Sequence, residues 1–504
     1  MQKVLRQVGA LCLSLFVLFG STQVLASEVS SAEENSVEFP SEIGTSPAGS
    51  QENLVGKDSA AEAVEESAPT AVDLSAIDTE LKDSQVPVSL PSAAPAVAGK
   101  TWEEIVGKAA DASEAVNIEV VQKIVLDAQS PRLLVKSGAD VTLSGDATIT
   151  GVKNPAFEVE PGGKLTLSGP SFINAQFIIN GEMLFNAGAI KNTTVHGPVI
   201  FVNGGTLTID GTADFSGNDV SATEGVLSPD GVTEKNYAPI TAYSGTVNLN
   251  SGTISGNRGF LKGGAIGVWG NEQKQVFLNI AGGEIVKNKV EHPQLNGFGG
   301  AIFAEYASVN VSSGNISGNV TEYGGGIFQR NGEFKMSDGS ISENTNGTYK
   351  GRGGGIFLDT VKADISGGSL SENSANGHGG GAFIMQSTVD MSAGLVAHNK
   401  SVNWGGGIAF NESNVTIRGG AVEDNSAAES GGGLAFFSES NVTISALKVS
   451  GNSAEGFWGG GGIYNDNKST LTMLNTAVFD NRIAEKTFLI GAGNHPVSKQ
   501  GGGV

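Results

Sequence analysis

The chain has 504 residues, 73 of them glycine, and a formal net charge of −22. Its hydrophobic content of 39% is enough for a large core and excludes a simple unstructured polymer. The acidic balance repels phosphate backbones and anionic headgroups, so neither nucleic acid nor an anionic lipid surface is expected as a partner.

Residues 1–26 read as a secretory signal peptide. Lys3 and Arg6 supply a basic start, Val8 to Phe19 an apolar stretch, and Val24-Leu25-Ala26 a small-residue cleavage site. The apolar stretch is short for a membrane span, so no transmembrane segment is expected after cleavage. The only cysteine, Cys12, lies inside it. The mature chain is therefore expected to use neither disulfides nor thiol chemistry.

Residues 27–100 are rich in Ser, Ala, Glu and Pro. Between Glu28 and Lys100 there are 14 acidic and 3 basic residues, 3 − 14 = −11, about half of the total charge. Such a segment buries too little apolar area to offset its ordering entropy. It is expected to be a disordered acidic linker.

Residues 101–130 read as an N-terminal cap. Thr101 with Glu104 has the capping-box spacing, and "WEEIVGKAADA" is amphipathic at helical period. Two strands, "NIEVV" and "KIVLDA", follow. The helix would cover the first coil of a repeat stack and block edge-to-edge pairing.

From residue 131 the chain alternates short apolar–polar runs, first "ADVTLSGDATIT", "KLTLSG" and "TLTIDG". From about residue 245 one phrase recurs. An aliphatic residue, two variable residues and an Asn come first, at Asn257, Asn288, Asn319, Asn344, Asn373, Asn399, Asn425, Asn452 and Asn481, with an earlier copy at Asn218. A glycine run with an aliphatic residue follows, as in "GGAI" at Gly299 and "GGGIF" at Gly324 and Gly353. From Asn319 to Asn481 the steps are 25, 29, 26, 26, 27 and 29. That period signals a solenoid, and the segments are too short and too rich in Val, Ile, Thr and Gly for helical repeats. Three short strands per coil, wound as an all-β parallel β-helix, fit the length. One coil buries too few aliphatics to offset the ordering of its own backbone, so coils must stack. The Asn sits where a strand turns and can bond to the Asn of the next coil. The glycines permit positive φ and close backbone approach. They lead into strands, whereas a nucleotide loop leads into a helix.

This tandem "I-x-x-N … G-G-A/G-I" phrase resembles the repeats of polymorphic outer membrane proteins. It is also similar to Gly- and Asn-rich adhesin-like surface proteins of Gram-positive bacteria. The match covers about residues 200–504. The resemblance implies the right-handed, pectin-lyase-like β-helix and a bacterial cell-surface or secreted role, with a host or bacterial surface protein or glycan as partner. The outer-membrane family ends in a barrel. Here the chain stops at "SKQGGGV", part-way through the motif and without a sorting signal, so an incomplete C-terminus and a Gram-positive surface are expected. Loops near 221–240, 289–297 and 345–352 would face the partner.

Some proteins of this class cleave polysaccharides, and their hydrolases share a Gly-His-Gly beside paired Asp and a basic residue. Gly377-His378-Gly379 matches only the triplet. His378 falls where other copies carry Tyr323 and Trp404, so it reads as a turn variant. Inverting hydrolysis needs two carboxylates about 6.5–9.5 Å apart, and no such pair is legible. Arg330, Arg352 and Arg418 are scattered, and Asp466 is too isolated for a calcium site. No catalytic residue, metal or cofactor is expected. The candidate for binding is an aromatic ladder, Phe303, Phe328, Phe357, Phe383 and Tyr464, interrupted by Ala409 and Ala435. Alternation turns these rings outward, where they would hold sugar rings or a protein. The other reading is that flanking loops cover them as a satellite cluster. A polysaccharide lyase or hydrolase is the alternative function.

Overall fold

The computed structural model describes residues 96–483, except 152–154, 196, 222–236, 272, 291–296, 348–350 and 457–458. The signal peptide, almost all of the acidic linker, the C-terminal "SKQGGGV" and the tips of the three expected loops lie outside the described residues.

The described chain is an all-β parallel β-helix. Every strand pairing is parallel and joins one coil to the next. One coil shows the plan. After Asn344 the chain makes a two-residue strand, Thr345–Asn346, then turns through Gly353-Gly354-Gly355. Ile356–Asp359 runs along the first face, Lys362–Ile365 along the second and Ser369–Ser371 along the third, which ends at Asn373. The two-residue strands stack separately as a nine-stranded sheet from Arg258–Gly259 to Arg482–Ile483.

The lumen is filled by inward residues in vertical columns. Ile302, Ile327, Ile356, Ala382 and Ile408 form one such column. The inward pairs Val309/Val311, Phe334/Met336, Val389/Met391 and Val415/Ile417 are all buried. Leu471 and Met473, in the last described coil, are only partly buried. A fully buried side chain of this kind contributes about 1.5–3 kcal/mol, which is why stability comes from the stack.

Two glycines show why the corner is written as it is. Gly379 has φ +69°, in the left-handed region. Gly380 needs its missing side chain for space, because a Cβ there would lie 2.3 Å from the carbonyl oxygen of Gly406. A third corner was not legible. The residue before each ladder Asn has positive φ in every later coil, and it is Lys287, Glu343, Glu372, His398, Asp424 or Asp480 where it is not glycine.

The N-terminal end differs from expectation in one respect. Strand β1, Ala96–Gly99, pairs in parallel with strand β2, Val116–Val120. The ordered stack therefore begins before residue 101, and the linker ends earlier than Lys100. The sequence "AVAG" is too short and too small to stand out from an Ala- and Pro-rich spacer. Gly99 is there because a Cβ would lie 2.6 Å from Ile105 Cγ1. Helix α1, Trp102–Ala110, follows. The Glu104 N–H donates to Thr101 Oγ1 at 3.2 Å, and the Glu104 carboxylate accepts from the Lys100 N–H at 2.9 Å. These bonds hold the Glu104 carboxyl below its ordinary range, the Lys100 N–H first among the causes. Trp102, Ile105 and Ala109 are buried against the first coils.

Candidate functional site: an Asn ladder and an aromatic seam

The ladder runs through all nine expected asparagines and extends back to Asn218. Each side-chain Nδ2 donates to the Oδ1 of the Asn one coil on, at 2.9–3.1 Å. The same Oδ1 accepts the backbone N–H of the preceding Asn. The second Nδ2 hydrogen reaches a carbonyl of the coil before, as from Asn373 to Ile341 at 2.9 Å. Asn257 to Asn452 are buried, and Asn481 closes the described ladder. The role is structural, since every amide group faces a backbone or another Asn. A second ladder was missed. Ser387, Ser413, Ser440 and Ser469 each accept, through Oγ, a backbone N–H from the coil before, at 3.0–3.3 Å. Its signal was a Ser two residues before the first Val or Leu of these second-face strands, Val389, Val415, Val442 and Leu471.

The expected aromatic ladder exists, but it is not an exposed surface. Phe303 and Phe328 stack at 5.4 Å with an interplanar angle of 4°, and Phe357 and Phe383 continue the row at 5.0 and 5.1 Å. Phe303, Phe328, Phe357 and Phe383 are 2%, 2%, 5% and 0% exposed. Only Tyr464 is partly exposed. The reading of these rings as an outward binding face is corrected to the covered cluster. A second row lies over them, because the residue before each Gly corner also points here. Phe298 stacks on Tyr323 at 5.4 Å and meets Phe328 at 4.9 Å, and Tyr323 meets Phe357 at 6.0 Å. The gaps at Ala409 and Ala435 are filled too. Trp404 and Phe437 pack edge to face at 5.1 Å, and Trp404 reaches Tyr464 at 5.9 Å. At Gly267 the ring of Trp269 folds over the missing side chain. A ring is thus supplied at each layer from Phe201, through Tyr243 and Trp269, to Tyr464.

His378 belongs to this second row. The bridges Phe298 to Tyr323 to Arg352, and the bond from the Gly353 N–H to the His378 carbonyl, place it between Arg352 and Trp404. Its ring lies 5.3 Å from Trp404, 5.8 Å from Phe437 and 6.0 Å from Phe383. The residue is partly exposed, but its Nδ1 is shielded. Burial first, and then the Arg352 charge, push the His378 pKa down to about 3. Arg352 is itself lowered by burial and lies 5.2 Å over the Phe383 ring. An imidazole held neutral among rings in this way packs the seam.

The arginines are less scattered than their spacing suggests. Register places Glu305, Arg330 and Asp359 in one column on adjacent coils. Arg330 Nε donates to Asp359 at 2.8 Å, and Lys262 lies 3.9 Å from Glu305. Arg418 pairs with Asp390 across coils. The first group forms the charged margin of the seam, and both of its carboxylates are held by cations. Its signal was the second residue after each "IF", in "IFAE", "IFQR" and "IFLD". Asp466 accepts from the N–H groups of Ser438, Lys468 and Ser469, so its oxygens cap a turn. Among the described residues no cluster of three His, Cys, Asp or Glu has metal-binding geometry. No family model, curated protein or solved structure matches the chain.

Proposed function

We propose that this is a secreted or cell-surface, non-enzymatic β-helix protein of the adhesin-like, pectin-lyase-like class. Its coils act as a stiff spacer, and its loops meet a surface protein or glycan of a host or neighbouring cell. One observation carries the reading. The features that looked chemical from the sequence, the Gly-His-Gly triplet, the ring ladder and the arginines, are consumed in holding coils together. What varies between coils is the chain between the short corner strand and the glycines, from Glu322-Tyr323 in one coil to 291–298 in another. Binding by such loops would leave the scaffold unchanged.

The test is saturable binding of fluorescently labelled full chain to bacterial and epithelial cells, competed by unlabelled protein. Replacing residues 347–351 by a shorter Gly-Ser turn should weaken binding and leave the circular dichroism unchanged. Absence of saturable binding to any cell surface would reject the proposal.

A further inference from the structure

Two rings stand in solvent on neighbouring coils. Phe277 and Tyr306 are 40% and 41% exposed, whereas Phe303, Phe328, Phe357 and Phe383 on the first face are covered. Phe277 pairs in register with Ser308, two residues after Tyr306. Tyr306 lies at the corner between the first and second faces with φ +50°, and its partner one coil on is Asn331 at φ +57°. Asn adopts that left-handed backbone more readily than a bulky ring does. A ring kept there, strained and exposed, is not explained by packing.

The second face around these rings is uncharged over four coils. Its outward residues are Thr206, Thr246, Phe277 and Ser308 in one column. Thr208, Asn248, Asn279 and Asn310 form the next. Alternation fixes this direction, because the intervening Leu207, Val247, Leu278 and Val309 are fully buried. Charge returns on both sides, at Glu182 one coil earlier and at Glu333 and Lys335 one coil later. Asn279 Nδ2 donates to Asn248 Oδ1 at 2.9 Å, and Asn248 Nδ2 donates to Thr208 Oγ1 at 3.3 Å. These bonds orient the amides and leave each Nδ2 a second hydrogen to give.

We propose that this face binds a neutral oligosaccharide, with Phe277 and Tyr306 as stacking rings and the Asn248, Asn279 and Asn310 amides as polar contacts. A pyranose has an apolar C–H face and a rim of hydroxyls. The C–H face packs on an exposed ring, and the rim needs partners that both donate and accept, as Asn and Thr side chains do. Coils about 4.8 Å apart make the platform about 14 Å long, room for a short run of sugars. Charge decides the class of sugar. The chain carries a net charge of −22, and the two columns offer no cation to an acidic sugar. A protein partner would call for a contiguous apolar centre, whereas hydroxyls and amides surround these rings. The platform is built on strands, apart from the loops, and does not depend on the surface role proposed above.

Saturation-transfer NMR on the full chain tests chitohexaose, cellohexaose and maltohexaose, with a hyaluronan hexasaccharide as the acidic probe. At least one neutral probe should bind, with transfer strongest on its ring C–H protons. Phe277→Thr continues the Thr246 column and should weaken that binding at least about tenfold with the unfolding midpoint unchanged. Tyr306→Asn takes the residue of the next coil, and should weaken binding without lowering the midpoint. The shortened 347–351 loop should leave saccharide binding intact, so failure of the loop reading and failure of this one are separable. No binding of any neutral probe, binding of hyaluronan alone, or unchanged binding in either ring variant would overturn the inference.

Discussion

Asn373 gives both its side-chain amide and its backbone N–H to one atom, the Oδ1 of Asn399, each at 3.0 Å. Its own Oδ1 receives the same pair from Asn344. One amide therefore satisfies four buried polar groups, and hydrogen bonds aligned in such a chain polarise one another.

Asn373→Leu should consequently cost more than a single hydrogen bond. It keeps the volume but leaves the Ile341 carbonyl and the Asn344 donors without partners. Each orphaned buried group costs about 1–3 kcal/mol. A loss of about 3 kcal/mol or more is expected in urea unfolding. A loss below about 1 kcal/mol would show that the ladder is dispensable.

Phe328→Ala separates packing from binding. The ring is 2% exposed and lies between Phe303 and Phe357. A deletion of this size should destabilise by about 3–5 kcal/mol. Retention on a cell surface, measured below the unfolding transition, should be unchanged. A stable variant with lost binding would restore the exposed-ladder reading.

The environment of His378 makes a signed pH prediction. Its folded pKa is about 3, below the ordinary value of 6.5. The unfolded chain then binds the extra proton, so the stability from neutral His378 is fully present above about pH 6.5 and is lost as pH falls towards 3. The slope from this group approaches about 1.4 kcal/mol per pH unit. His378→Phe should fold, because its neighbours are rings, and should show a shallower loss of stability between pH 6.5 and 4 than the wild type. Parallel curves for the two proteins would show that the imidazole is not enclosed.

The left-handed corner before each ladder Asn predicts a gain. Glu372 has φ +57° there, which costs a residue with a Cβ about 1–2 kcal/mol. Glu372→Gly should be neutral to stabilising by up to about 1 kcal/mol, because glycine loses some of that advantage through its freer unfolded chain. A clear loss in the thermal midpoint would mean that the Glu372 side chain makes a contact that matters.

Much of this was legible because a repeat prints its structure many times. The period of Asn319 to Asn481, the glycine pairs and the alternation in "VNV" and "VTI" each have one physical solution once coils stack. What was hidden depends on register. Arg330 faces Glu305 and Asp359 only after coils of unequal length are aligned. Burial of Phe328 depends on Phe298, which is thirty positions earlier and reaches it through the loop row. Strand β1 was lost inside a spacer of similar composition. The left-handed corner was masked because Glu, Lys and His occupy a site that glycine marks elsewhere.

The most direct test of the non-enzymatic reading is product formation. The full chain is incubated with pectic, glycosaminoglycan, peptidoglycan and mucin glycans, and new reducing ends and unsaturated products are followed together. No product above the protein-free control is expected with any of them. Products that scale with protein concentration and disappear in Asp359→Asn would contradict the reading, and would make the charged margin beside Arg330 an active site.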